Sequence, residues 1–341
     1  MMNDPVDIKI AHINKAETSN NVLNKEAVYE IFERFTPEAL APFYKFQQTW
    51  VNNAYGVFKD FDTYLILMYL KQKIYVDYSD RFHYMSANAF FSQDKIAIEK
   101  INLIQISKRL NIPKETVRRK VNFLQEKEII FRSGKSIYLN SRALEIIKPI
   151  STLPMIAVFL EKMSILLSKE NWFGISLNRG DIEQFIKDHF TVCWEYFYRF
   201  QIPYLTRHRK TFMDLESWNI WGSIALSQSA AFNDDLQKIT RDELTSYEDY
   251  FLSMLKFKPK RGINASSISD ISSIPRATVI RKLKVLEKKS FIKRNNKLEY
   301  TLGQNKNLKA VHENYLINQK NLSDLCTSLF NLMKNSKLKI T

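Results

Sequence analysis

The chain has 341 residues, 45% hydrophobic and 26% charged, with a net charge of +15 and a pI near 9.5. That is long enough for two ordinary cores and too apolar to be disordered throughout. Seven glycines and nine prolines fit helices with short connections rather than a turn-rich β-sandwich or a glycine-laced nucleotide-binding sheet, so the expected fold class is mainly α.

Residues 1–22 are polar without a clear period and read as a loose arm. They lack the apolar core of a signal peptide, so a cytoplasmic protein is expected. Over residues 25–35, Val28, Ile31, Phe32 and Phe35 recur at helical spacing, and the helix ends before Thr36-Pro37. An aromatic helix over 43–57 and a third helix over about 60–77 follow, whereas residues 78–100 show no readable pattern. The runs at 64–70 and 155–160 are apolar but too short to span a bilayer, so no membrane partner is expected.

Residues 104–110 form a short helix with Ile106 and Leu110 on one face, interrupted by Asn111-Ile112-Pro113. Proline loses no hydrogen bond in the first helical turn, so Pro113 starts a second helix that buries Val117, Val121 and Leu124. Lys114, Thr116, Arg118, Arg119, Lys120 and Asn122 lie on its other faces. Residues 129–132 and 136–139 read as a hairpin around Ser133-Gly134-Lys135. An amphipathic helix over 155–169 closes this half.

The second half repeats the first. Phe43-Tyr44-Lys45-Phe46-Gln47 matches Phe197-Tyr198-Arg199-Phe200-Gln201 at an offset of 154, continuing into Phe58-Lys59-Asp60 against Phe212-Met213-Asp214. Ile112-Pro113-Lys114-Glu115-Thr116-Val117-Arg118-Arg119-Lys120-Val121 matches Ile274-Pro275-Arg276-Ala277-Thr278-Val279-Ile280-Arg281-Lys282-Leu283 at 162. A second hairpin turns at Asn295-Asn296, where asparagine tolerates the positive φ of a tight turn, and a closing helix carries Leu322, Leu325, Cys326, Leu329 and Met333. The division expected is 23–171 and 178–337. Residues 101–140 and 263–302 each hold nine Lys or Arg against three Asp or Glu, so 80 residues carry +12 of the +15. Charge gathered on the repeated motif favours a nucleic acid over general solubility.

Helix, turn, helix and basic hairpin, with Ile-Pro-x-x-Thr-Val-x-Arg-Lys and then a hydrophobic residue, resemble the winged helix-turn-helix of MarR-, GntR- and IclR-type bacterial transcription regulators. The likeness covers roughly 40 residues in each half, and the flanking helices resemble those that form the MarR dimer interface. The resemblance implies a double-stranded DNA partner and a transcriptional regulator whose two winged helices form a pseudo-dimer on an imperfect palindrome. It maps base-edge and phosphate contacts onto Lys114, Thr116, Arg118, Arg119 and Lys120, and onto Arg276, Thr278, Arg281 and Lys282. In the wings, Arg132, Lys135, Arg294 and Lys297 would reach phosphate or the minor groove. Arg119 and Arg281 lead, because a guanidinium can bond guanine O6 and N7 together. Arg118 against Ile280, and Leu110 against Ser272, suggest two unequal reading heads.

Other readings use the same residues. Tandem winged helices also occur in plasmid-type replication initiators, and a winged fold can serve as a protein-interaction scaffold without DNA. A small-molecule effector between the aromatic helices, and association of two chains into a homodimer, stay open. The aromatic residues and Trp50, Trp194, Trp218 and Trp221 read first as core. Arg207-His208-Arg209-Lys210 reads as a solvated helix end. His12, His83, His189, His208 and His312 are scattered, and Cys193 and Cys326 read as core thiols, so neither a metal nor another cofactor is expected. No Walker loop, Gly-x-Ser-x-Gly or His-Glu-x-x-His occurs, which argues against an enzyme.

Overall fold

The computed structural model describes residues 22–81, 84–93, 95–98, 102–133, 136–140, 152–170, 177–236, 246–303 and 308–337. The expected arm over 1–22 lies, except for Val22, outside the described residues. The fold is mainly helical, with fourteen helices and two small antiparallel sheets among those residues. No helix among them is long and apolar enough to cross a membrane.

One series of elements runs from Lys25 and is met again from Arg179. The first comprises α1 (Lys25–Arg34), α2 (Thr36–Phe58), α3 (Phe61–Asp80), α4 (Ala87–Phe91), β1 (Lys95–Ile98), α5 (Leu103–Leu110), α6 (Lys114–Glu126), β2 (Ile130–Ser133), β3 (Ser136–Asn140) and α7 (Leu153–Lys169). The second comprises α8 (Arg179–Asp188), α9 (Phe190–Phe212), α10 (Leu215–Leu236), α11 (Tyr247–Lys256), β4 (Ile263–Asn264), α12 (Ala265–Ser272), α13 (Arg276–Lys288), β5 (Ile292–Arg294), β6 (Glu299–Leu302) and α14 (Leu308–Lys337).

Local chemistry sets these boundaries. Asn24 and Asn178 cap α1 and α8 by accepting from Glu26 N and Asp181 N. Phe35 (φ −109°, ψ 42°) and His189 (φ −112°, ψ 39°) break the chain between the first and second helix of each series. Asp60 and Asp214 then cap α3 and α10, accepting from Thr63 N at 3.0 Å and Ser217 N at 2.7 Å. α2 and α9 each run for 23 residues and bury Phe43, Phe46, Phe197, Tyr198 and Phe200 of the repeated Phe-Tyr-x-Phe-Gln string, with Tyr44 half-buried.

The two series interlock rather than sit side by side. α2 packs on α10 of the other series, and α9 packs on α3; α1 lies against α14, and α8 against α7. Each contact therefore recurs with the halves exchanged. Trp50 meets Phe197 with ring centroids 6.0 Å apart, and the exchanged pair, Phe43 and Tyr204, are 6.1 Å apart. Gln201 Nε2 donates to Gln47 Oε1 at 2.8 Å, so two residues at equivalent positions meet one another. Contact between equivalent positions is the mark of an isologous interface. Phe43, Phe46, Phe197 and Phe200 are all buried within one continuous core. Exposing four such rings would cost roughly 6–12 kcal/mol at about 1.5–3 kcal/mol each. That rivals the whole stability of an ordinary domain, so the halves stay together.

Three details differ from the sequence expectations. Each hairpin gains a third strand: β1 pairs with β3 and β4 with β6, giving sheet orders β1-β3-β2 and β4-β6-β5. The close approach of β4 needs Gly262, where a Cβ would lie 2.7 Å from Tyr300 O. In the second hairpin the positive φ falls on Leu298 (59°), not on an asparagine. Asn295 instead works through its side chain, with Oδ1 accepting from Lys297 N at 2.9 Å and Glu299 N at 3.0 Å. Finally, of the run 207–210 only Lys210 is exposed, and residues 207–209 are not a solvated helix end. His208 is buried against Trp218, Arg207 donates to Asn318 Oδ1 at 2.7 Å, and Arg209 pairs with Asp62 at 2.8 Å.

Candidate nucleic-acid interface

The short helix, turn and second helix form the same geometry in both halves. Asn102 and Asn264 cap α5 and α12 through their side chains. Each helix ends in a left-handed residue, Asn111 (φ 54°) or Ser273 (φ 59°), which reverses the chain in one step. Pro113 (φ −53°, ψ 136°) and Pro275 (φ −54°, ψ 135°) then launch α6 and α13. Ile112, Val117, Val121 and Leu124 are buried on one side, as are Ile274, Val279, Leu283 and Leu286. Glu128 and Ser290, again with positive φ, turn each chain into its hairpin. Ser272 stands where Leu110 fills the first half and is fully buried. Its Oγ accepts from Ile274 N at 3.3 Å, and its carbonyl accepts from Asn219, so the hydroxyl does not lie unpaired in the core.

Each turn is tied to the opposite half. Arg209 of α9 donates to Asn111 O, and Asn52 of α2 donates to Ile271 O. The orientation of each helix pair is therefore fixed by the interlock and not by a flexible linker.

The basic side chains separate into those already engaged and those left open. Lys120 and Lys282 are only 22% and 16% exposed and pair with Asp60 at 2.8 Å and Asp214 at 2.6 Å. Burial pushes each aspartate upward. Hydrogen bonds from the lysine, and from Thr63 or Ser217, outweigh it and hold each carboxyl below the usual aspartate range. Both lysines, which the resemblance maps onto DNA contacts, thus stand in ion pairs that link α6 and α13 to the capped ends of α3 and α10. Arg118 pairs with Glu115 at 2.6 Å on the open surface, and that pair is replaced by Ile280 and Ala277 in the second half. Arg276 donates to Ser266 Oγ at 3.1 Å, and Arg294 lies 3.3 Å from Glu287.

Arg119 and Arg281 are exposed at matched positions and make no ion pair or hydrogen bond among the described residues. Lys114 and Lys297 are exposed as well, and Thr116 and Thr278 are half-buried at the first turn. Lys135 and the side chain of Arg132 lie outside the described residues. The heads also differ on the first short helix, where exposed Lys108 and Arg109 face Asp270 and Ile271 at the equivalent positions.

The Asp60 and Asp214 clamp was missed by sequence reasoning, although both aspartates close a repeated string. Cys193 and Cys326 are buried free thiols, pushed far above the usual thiol range by burial. Comparison with protein-family models, curated proteins and solved structures found no match to this chain.

Proposed function

We propose that the protein is a sequence-specific, double-stranded-DNA-binding transcriptional regulator. Its two halves are a tandem duplication, each with a winged helix-turn-helix, acting as a covalent pseudo-dimer on one imperfect palindrome. The observation that carries this reading is the matched pair of proline-started helices, each presenting an unpaired exposed arginine, Arg119 or Arg281, at the same position. The contact between Gln47 and Gln201 supports a two-fold relation between the heads, which two-fold symmetric DNA would match. The heads carry equal net charge but place it differently, with Lys108, Arg109 and Arg118 where the second half has Asp270, Ile271 and Ile280, so the half-sites are expected to differ.

Selection of bound duplexes from a random library tests this. The expected product is an inverted pair of unequal half-sites about one helical turn apart, bound more weakly as salt rises. Arg119→Ala should relax preference in one half-site and Arg281→Ala in the other, each costing about 1–3 kcal/mol. Recovery of iterated direct repeats, or binding indifferent to both substitutions, would refute the proposal.

A further inference from the structure

The tip of the second hairpin carries a side chain that neither folding nor phosphate contact explains. Leu298 is 61% exposed and adopts a φ of 59°. A bulky residue is uncommon in that left-handed region, where glycine or asparagine fits with less strain. Leucine here therefore counts against the folded state twice, by its backbone and by its exposed apolar surface. An outlier of this kind points toward function. The first half carries Ser136 at the equivalent position.

The conformation is firmly held. Leu298 N donates to Asn295 O at 3.1 Å, and Asn295 N donates to Glu299 O at 3.0 Å. The Asn295 side chain accepts from Lys297 N and Glu299 N and donates to Glu299 Oε2 at 2.9 Å. Gly262 N also donates to Glu299 Oε2, so the one carboxylate beside the tip is engaged by the hairpin and the strand next to it. Lys293, Arg294, Asn295, Asn296, Lys297 and Leu298 are exposed in succession, which leaves the leucine projecting among cations and amides.

This tip lies at the same end of the head as the start of α13. In the strand register Glu299 stands opposite Asn264, the residue that caps α12. Ser266, in the first turn of α12, accepts from Arg276 Nε at 3.1 Å, and Arg276 opens α13. A partner meeting this end must offer anionic groups to Lys293 and Lys297 and an apolar recess to Leu298. Duplex DNA offers both, phosphates along the rim of the minor groove and stacked bases within it, between which apolar side chains can insert and kink the helix.

We infer that Leu298 is a wedge that enters the minor groove beside the half-site read by Arg281 and partly unstacks one base step there. The inference rests on the DNA-binding reading above and deepens it: only one head carries the wedge, so the duplex is kinked on one side. Pyrimidine–purine steps unstack most easily, so a TA or CA/TG step is selected at a position that no side chain reads by hydrogen bonds.

The test repeats the duplex selection with the full wild-type chain, with Leu298→Gly and with Leu298→Met. Wild type and Leu298→Met should recover a TA or CA/TG step flanking the Arg281-dependent half-site, whereas Leu298→Gly should recover the same two half-sites without it. 2-Aminopurine placed in that step should brighten on binding wild type or Leu298→Met but not Leu298→Gly, whose affinity for the wild-type duplex should fall about tenfold. The melting temperature of Leu298→Gly should be equal or higher, because glycine adopts this φ freely; that separates a wedge from a structural role. Recovery of the same step by Leu298→Gly, or an unchanged 2-aminopurine response, overturns the wedge and leaves the DNA-binding reading standing. So does an effect of Leu298→Gly confined to association between chains, which would make the leucine a protein contact. Recovery of no duplex by the wild-type chain overturns both.

Discussion

Replacing Asp60 with alanine removes three contacts at once: the acceptor for Thr63 N at 3.0 Å, the acceptor for the Thr63 hydroxyl, and the partner of Lys120 at 2.8 Å. Losing the cap costs about 1 kcal/mol. The ion pair's side chains are 22% and 28% exposed. Its loss should therefore fall between the roughly 0–1 kcal/mol of exposed pairs and the roughly 3–5 kcal/mol of buried pairs broken on one side, so about 1–2 kcal/mol. The expected total is about 2–3 kcal/mol, read as a lower urea midpoint at unchanged m. Asp214→Ala, which removes the matching contacts to Ser217 and Lys282, should cost a similar amount. Combining Asp60→Ala with Lys120→Met isolates the pair, with an expected coupling of about 1–2 kcal/mol. In DNA-binding titrations, Lys120→Met should lower affinity without changing the slope against salt, because the lysine holds the helix instead of a phosphate. Coupling within the additivity error of about 0.5 kcal/mol, or a slope reduced by about 0.9 as for one lost phosphate contact, would refute the clamp.

Two further outcomes follow from the interlock and from burial. Gln201→Leu leaves the buried Gln47 oxygen without its donor and should cost about 1–3 kcal/mol in thermal or chemical unfolding, whereas leucine at both 47 and 201 should recover most of that; equal losses in the two variants would contradict the pairing. Burial, followed by the nearby Asp214 and Asp62 charges, raises the Glu216 pKa to about 7. Its unfolded value is about 4.3, so the folded state binds the extra proton and this group's contribution to stability is lost as pH rises from about 4 through 7. Glu216→Gln should flatten that fall in a series of melting curves; an unchanged pH profile would exclude the assignment.

Much of the helical order is legible in the residues themselves. Asn, Ser or Asp caps, a proline at each second-helix start, and apolar residues at helical spacing act within one or two turns, so they can be read without knowing what lies opposite. The third strands were not legible. Ile263–Asn264 is two residues long and shows no alternation, and its partner Tyr300 lies nearly forty residues onward. Residues 207–209 misled for a similar reason: a run of cations looks solvated until Asp62, Asn111 and Asn318 close on it from other helices.

The sequence by itself determined that one order of helices occurs twice and that positive charge gathers on the same motif in each half, because caps, periodicity and composition are local properties. Only the tertiary structure decided which of those charges are open. Lys120 and Lys282 meet carboxylates 60 and 68 residues earlier in the chain, while Arg119 and Arg281, one position before them, meet none among the described residues. A side chain's freedom depends on what is packed across from it, and that is set by the exchange of helices between the halves. The same exchange put Gln47 beside Gln201.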